Sequence, residues 1–231
     1  MNDTVLVIGD LHAPFMHPDA VKFLKAVKRK FKPDRVIQVG DEIDGHSISF
    51  HEHSPDLYSP RTELDMARIA LRPLYDLFPD VSLLSSNHGS LVYRKAAAAG
   101  LPSEVIKGYR EILEAPHGWR WHDDLTIKTA LGPVYFTHGK SGAYEKLSKN
   151  MAMNAVQGHF HQKFYITYWG SPVGLFWDMN VGCLVDNSAM AFAYGKNNLP
   201  RPIVGCAIIQ NGVPQLVPMI LKKGGKWVGT L

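Results

Sequence analysis

The chain has 231 residues, 45% of them hydrophobic and 20% charged, with a formal net charge of +4. This composition suits a folded chain with a full apolar core and excludes disordered, collagenous and disulfide-framework proteins. The small positive excess favours anionic partners such as phosphate esters or nucleic acid, but the dense basic tracts are only Lys28-Arg29-Lys30 and Lys222-Lys223.

The opening MNDTVLVIGD lacks a basic start and a long apolar stretch, so no signal peptide is expected. No run approaches the ~18 apolar residues of a membrane helix. Residues 4–8 form a β-branched run ending at Gly9-Asp10, which reads as a buried strand. Val21, Leu24, Ala26 and Val27 predict a helix over 18–30. A second strand over 35–39 ends at Gly40-Asp41, and a polar, aromatic loop follows from about 42 to 60. A helix is expected over 62–78, kinked or ended by Pro73. A third strand over 81–84 ends at Ser85-Ser86-Asn87-His88, and an Ala-rich helix over 90–99 stops at Gly100.

After Pro116 the segments become short and rich in Val, Ile, Tyr, Phe, Trp and Thr, which predicts a mostly antiparallel second half. Asn211-Gly212 between two apolar runs is a hairpin signal. The expected fold is α/β: a mixed two-sheet β-sandwich flanked by helices, one domain over 1–231, with 162–231 completing the second sheet. Cys183 and Cys206 have no C-x-x-C spacing and apolar neighbours, so buried free thiols and a reducing, cytoplasmic setting are the default.

The strand ends carry the chemistry. Three finish in Asp10-x-His12, Gly40-Asp41-x-x-Asp44 and Asn87-His88; two later ones finish in His138 and His159-x-His161. The carboxyl ends of parallel strands gather at one rim, where ligands bind. Each residue alone has a plain explanation: an Asp as N-cap, an Asn as loop chemistry, a His-x-His on a solvated face, Gly40 and Gly158 as turn glycines. Their joint placement at the ends of apolar runs has none. Carboxylate, amide and neutral imidazole donors suit Mn, Fe, Zn, Ni or Mg, with Mn²⁺ favoured, and so many imidazoles disfavour calcium. A pair of divalent ions needs an anionic bridge, which a carboxylate supplies.

The ordered series DLH, GDEID, SNHG, THG and GHFH resembles the calcineurin-like metallophosphoesterase superfamily, with its D-x-H, G-D-x-x-D, G-N-H-D/E, H and G-H-x-H pattern, over residues 5–161. The resemblance implies a four-layer sandwich and two divalent metal ions. It implies that Asp10, His12 and His161 hold the first metal, that Asn87, His138 and His159 hold the second, and that Asp41 bridges them. A hydroxide between the metals would be the nucleophile, with His88 the general acid, oriented by Asp44.

This chain departs from the pattern at three places: Ser86 replaces the Gly before Asn87, Gly89 replaces the acid after His88, and Gly45-His46 replaces the Arg that follows G-D-x-x-D in protein phosphatases. The last argues against a phosphoprotein substrate. The 42–60 loop, with His46, Phe50, His51, His53 and Tyr58, can stack on a base or simply pack on the body. Arg94, Lys140 and His46 are candidates for touching substrate, although a solvated face explains any single cation equally well.

The expected activity is hydrolysis of a phosphoester, with a nucleotide or nucleic acid as leading substrate and no membrane partner. Two other classes compete: a scaffold that keeps the fold without turnover, as in the metallophosphoesterase-like retromer subunit, and a nucleic-acid-binding protein with structural metals. An intact donor set argues against the first, and donors that leave room for water argue against the second.

Overall fold

The computed structural model describes residues 3–50, 58–189 and 201–231. In chain order the first half runs β1 (Thr4–Ile8), α1 (Ala20–Phe31), β2 (Arg35–Gln38), α2 (Pro60–Leu77), β3 (Val81–Leu84), α3 (Leu91–Ala98), α4 (Tyr109–Ile112) and β4 (Trp119–His122). The second half runs β5 (Leu125–Thr129), β6 (Gly132–Thr137), α5 (Lys146–Met151), β7 (Asn154–Gln157), β8 (Phe164–Ser171), β9 (Gly174–Val181), β10 (Gly205–Gln210) and β11 (Val213–Pro218).

The strands form two sheets, ordered β11-β10-β1-β2-β3-β4 and β5-β6-β7-β9-β8. Every residue of β1 is buried, because it lies inside its sheet and both faces are covered. Leu6 and Ile8 meet Phe23, Leu24 and Val27 of α1 and Ala67, Leu71 and Leu74 of α2. Val5 and Val7 point the other way, into the layer shared with Phe136, Val156, Met179 and Val181 of the second sheet. The outer face of that sheet carries Tyr135 and Ala155 against Leu147 of α5. This is the expected mixed sandwich flanked by helices.

Two expectations need correction. Pro73 does not end α2, which continues to Leu77. Its ring sits on the solvent side, where the carbonyl freed by the missing N–H can reach water, while Ala67, Leu71 and Leu74 anchor the opposite face. The second half is mostly antiparallel, as expected, through the β5–β6, β8–β9, β1–β10 and β10–β11 pairs, while β4 pairs parallel with β3, and β6, β7 and β9 are parallel to one another. Residues 162–231 do not all complete the second sheet. β8 and β9 do, but β10 pairs antiparallel with β1 in the first sheet. Its run GCAIIQ is too apolar for an edge, and there it is flanked by β1 and β11. The β10–β11 turn is the predicted one, with Asn211 and Gly212 both at positive φ.

The parallel pairings place the ends of β1, β2 and β3 along one rim and those of β6 and β7 beside it, since the sheets share one apolar layer. No described helix is long and apolar enough to cross a membrane.

Candidate metal centre

The β2 end is shaped by local chemistry. The Gln38 amide donates to Gly40 O at 2.6 Å and accepts from Gly40 N at 2.8 Å, clamping the turn in which Gly40 has φ 102° and Asp41 has φ 54°. Asp41 O accepts from Leu11 N at 3.0 Å and His12 N at 2.8 Å, so the β1 and β2 ends are stapled together. His12 and His159 also have positive φ, at 48° and 67°. Non-glycine residues in this region cost energy and gather at functional sites.

Two glycines permit the close approach. A Cβ on Gly40 would stand 2.7 Å from both His138 Nδ1 and Ser86 Cβ, and one on Gly158 would stand 2.5 Å from Asp10 Oδ1. The plain reading of these as mere turn residues therefore fails.

The predicted donors meet in two groups that share one residue. Asp10, His12, Asp41 and His161 offer ligand atoms all within 4.8 Å of one another, and so do Asp41, His138 and His159. In the first group His161 Nε2 lies 2.9 Å from Asp10 Oδ2 and 3.2 Å from His12 Nε2, which is 3.5 Å from Asp41 Oδ2. In the second, His138 Nε2 lies 3.2 Å from both Asp41 Oδ2 and His159 Nδ1, and 2.7 Å from Asn87 Oδ1. Two donors each ~2.1 Å from one ion stand about 3.0–3.4 Å apart. The spacing and donor chemistry therefore fit divalent cations.

The remaining ring atoms are held from behind. His12 Nδ1 donates to Asp44 Oδ1 at 2.6 Å and His138 Nδ1 to Val39 O at 2.8 Å, the outer hydrogen bonds that fix a ligating imidazole. Asp41 Oδ1 accepts from His88 N at 3.1 Å, and the Asp10 carboxylate accepts from His159 N.

Charge follows from this crowding. Burial alone would raise the Asp41 carboxyl, but His138, His12 and His88 outweigh it and hold it well below the usual range. Burial pulls the His138 imidazolium down, yet the hydrogen bond to Asp41 and the Asp10 and Asp41 charges push it up to about 9. His161 is likewise raised against its burial by Asp10, whereas burial and His138 lower His159.

The other predicted residues divide. The His88 ring meets His12 edge-on with centroids 4.5 Å apart, and its Nδ1 is bonded to the main-chain carbonyl of Asp44. The Asp44 carboxylate belongs first to His12 and stands 3.7 Å from His88 Nδ1. His46 packs behind, with Nδ1 3.8 Å from Asp44 Oδ2. Arg94 and Lys140 line a groove of about 590 Å³ with Asn87, His138 and His159. His51 and His53 lie outside the described residues.

A second crevice, of about 340 Å³, is lined by His12, Asp41, His88 and His161 and walled by Phe160 and Lys163. Sequence reasoning passed over these last two, although they flank His161 directly. It also passed over Glu42, fully buried behind Asp41, whose carboxyl burial pushes up to about 7 despite a hydrogen bond from Trp121 Nε1. Only its place beside Asp41 could have marked it.

A family model described as calcineurin-like phosphoesterase matches residues 4–163, more than half of the chain. The chain belongs to the calcineurin-like phosphoesterase family. Membership makes metal-dependent phosphoester chemistry the general class, and the two donor groups are where metal can bind. No curated protein matches this chain. Among solved structures, Vps29 of Chaetomium thermophilum is similar at a TM-score of 0.50 and 11% identity, covering 97% of this chain and 93% of that one. Yfce, a phosphoesterase from E. coli, is similar at 0.50 and 12%, covering 97% and 96%. At such identities the likeness shows the calcineurin-like fold alone.

Proposed function

We propose that this calcineurin-like phosphoesterase is an active hydrolase with a dinuclear metal centre. The observation that carries the reading is the pair of donor groups sharing Asp41. Asp10, His12 and His161 would hold one cation, Asn87, His138 and His159 the other, with Asp41 between. When bound, such a pair supplies Lewis acidity toward the phosphoryl oxygens and lowers the pKa of water.

The chain's own part is orientation and proton transfer. With Nδ1–H given to the Asp44 carbonyl, the His88 imidazolium keeps Nε2–H for the leaving oxygen. Arg94 and Lys140 bring positive charge to the groove beside the second donor group. Lys140 is steadied by the Tyr135 hydroxyl at 2.6 Å and Asp124 at 3.2 Å. Phe50 lies under Arg94 and Lys95, with 5.5 and 4.0 Å to its ring centroid.

These cations and the net charge favour an anionic substrate, and a nucleotide or nucleic-acid phosphoester is the class read from them. The scaffold reading has the Vps29 likeness on its side, but that likeness extends to the fold only. The test is hydrolysis of p-nitrophenyl phosphate and its bis-ester with Mn²⁺, lost on chelation and restored by metal. A wild type inert with every divalent ion, and carrying no bound metal, would favour the scaffold.

A further inference from the structure

We propose that the leaving group of the substrate is a compact apolar alcohol or phenol, seated in an apolar recess that shares His88 with the metal crevice. This rests on the hydrolase reading above, and it sets a different leaving group against the nucleotide class read there from charge alone.

The recess has a volume of about 210 Å³, and its walls include Ile43, Ile48, Leu64, Leu91, Val92 and Ile112. An apolar cavity of about 150 Å³ already holds a benzene molecule, so the size suits one ring or a branched alkyl group. His88 lines both this recess and the metal crevice. A leaving oxygen within reach of the His88 ring therefore lies next to an aliphatic chamber.

The three departures from the family pattern bear on the same place. Gly45 and Gly89, which stand where a charged side chain is expected, both line the recess. Gly45 has φ +64°, and a Cβ there would come 3.1 Å from Leu91 Cδ1. A Cβ on Gly89 would come 2.9 Å from Ser86 Oγ and 3.5 Å from the Tyr109 hydroxyl. Ser86, the third departure, accepts from Gly89 N at 3.0 Å and fixes that turn. Where the pattern has an arginine and an acid, two glycines leave this stretch of the recess wall without a charged side chain.

Polar groups on the walls are few and mostly engaged. The Glu63 carboxylate, 4% exposed, accepts from His46 N and Ser47 N, each at 2.8 Å, and so builds the turn that carries Ile48. Ser47 and Tyr109 supply the other polar side chains besides His88. Among the described residues, the walls offer few of the donors and acceptors that a ribose or a base edge requires, and buried sugar hydroxyls left unpaired are costly. An apolar group of fitting size gains what a ribose would lose.

The experiment compares kcat/KM for benzyl phosphate, methyl phosphate and adenosine 5′-monophosphate with the Mn²⁺-loaded enzyme. All three leave as primary or methyl alkoxides, so intrinsic reactivity is comparable. Benzyl phosphate is expected to exceed both others by at least about 10-fold, the low end of what an apolar pocket discriminates. Val92→Trp, which fills the recess from α3, should bring benzyl down to the level of methyl and leave methyl within about 2-fold. Independently of turnover, benzyl alcohol added to the metal-free protein should shift the methyl resonances of Ile48, Leu64 and Val92. Equal rates for all three esters, a preference for the nucleotide, or unmoved methyl resonances would overturn the inference while leaving the hydrolase reading intact. No hydrolysis of any ester by metal-loaded protein would remove the reading itself, and the inference with it.

Discussion

At the metal crevice seven oxygen and nitrogen donors are crowded to 2.7–3.5 Å, several on strained backbone. The recess that shares His88 with it is a chamber of aliphatic side chains. The first is built from strand ends, the second from a 3-10 turn, three helices and a loop. The difference assigns separate tasks: rim residues should govern metal and rate, whereas recess residues should govern which ester is chosen.

The rim also separates its own materials. The first sheet's strand ends bring the carboxylates and the amide (Asp10, Asp41, Asn87), with His12 as the exception, and the second sheet brings His138, His159 and His161. In the proposed centre bridging would fall to Asp41, which appears in both donor groups.

Substitutions at the rim should give the largest effects. Asp41→Asn removes the shared carboxylate and should lower kcat by about 10³-fold or more, since charge stabilisation worth several kcal/mol goes with the second cation. Steady-state kinetics with excess Mn²⁺ check this; a kcat within 10-fold of wild type would break the division between rim and recess. Asp44→Asn acts one step behind, by loosening His12 Nδ1, and should weaken metal affinity or activity by about 10–100-fold. It should leave the preference among esters unchanged, which Val92→Trp should not.

A smaller and graded effect comes from protons. His138, raised to about 9, holds a proton at neutral pH in the cation-free protein, and His161 is raised as well, so cations compete with protons for these rings. Metal affinity should therefore tighten as pH rises from 6 toward 9, by up to about 10-fold per unit for each proton released, and level off above. Calorimetric titration in buffers of different ionisation enthalpy reads the proton count directly. A flat profile, or one of opposite sign, would place the cations elsewhere.

The contrast also explains what the sequence could reveal. Rim residues were legible because each follows the end of a strand within four positions, and parallel strands bring such ends together. The three short strands β1, β2 and β3 were readable for the same reason, and so was the Asn211-Gly212 turn, whose φ demand is local. The recess was not legible. Its walls come from residues between Ala13 and Ile112 with no shared spacing, and only Gly45 and Gly89, as departures from a pattern, pointed toward it. The pairing of β10 with β1 was hidden likewise, since a central and an edge position differ only in what covers them. Pro73 misled because its exposure, not its identity, decides whether a helix tolerates it.

The account turns on two cations held at one rim by residues from both sheets. Metal analysis of protein equilibrated with Mn²⁺ and desalted, alongside the Asp41→Asn variant, tests it most directly. The expected result is two ions per wild-type chain and fewer than one in the variant; none in the wild type, or two in both, would contradict it.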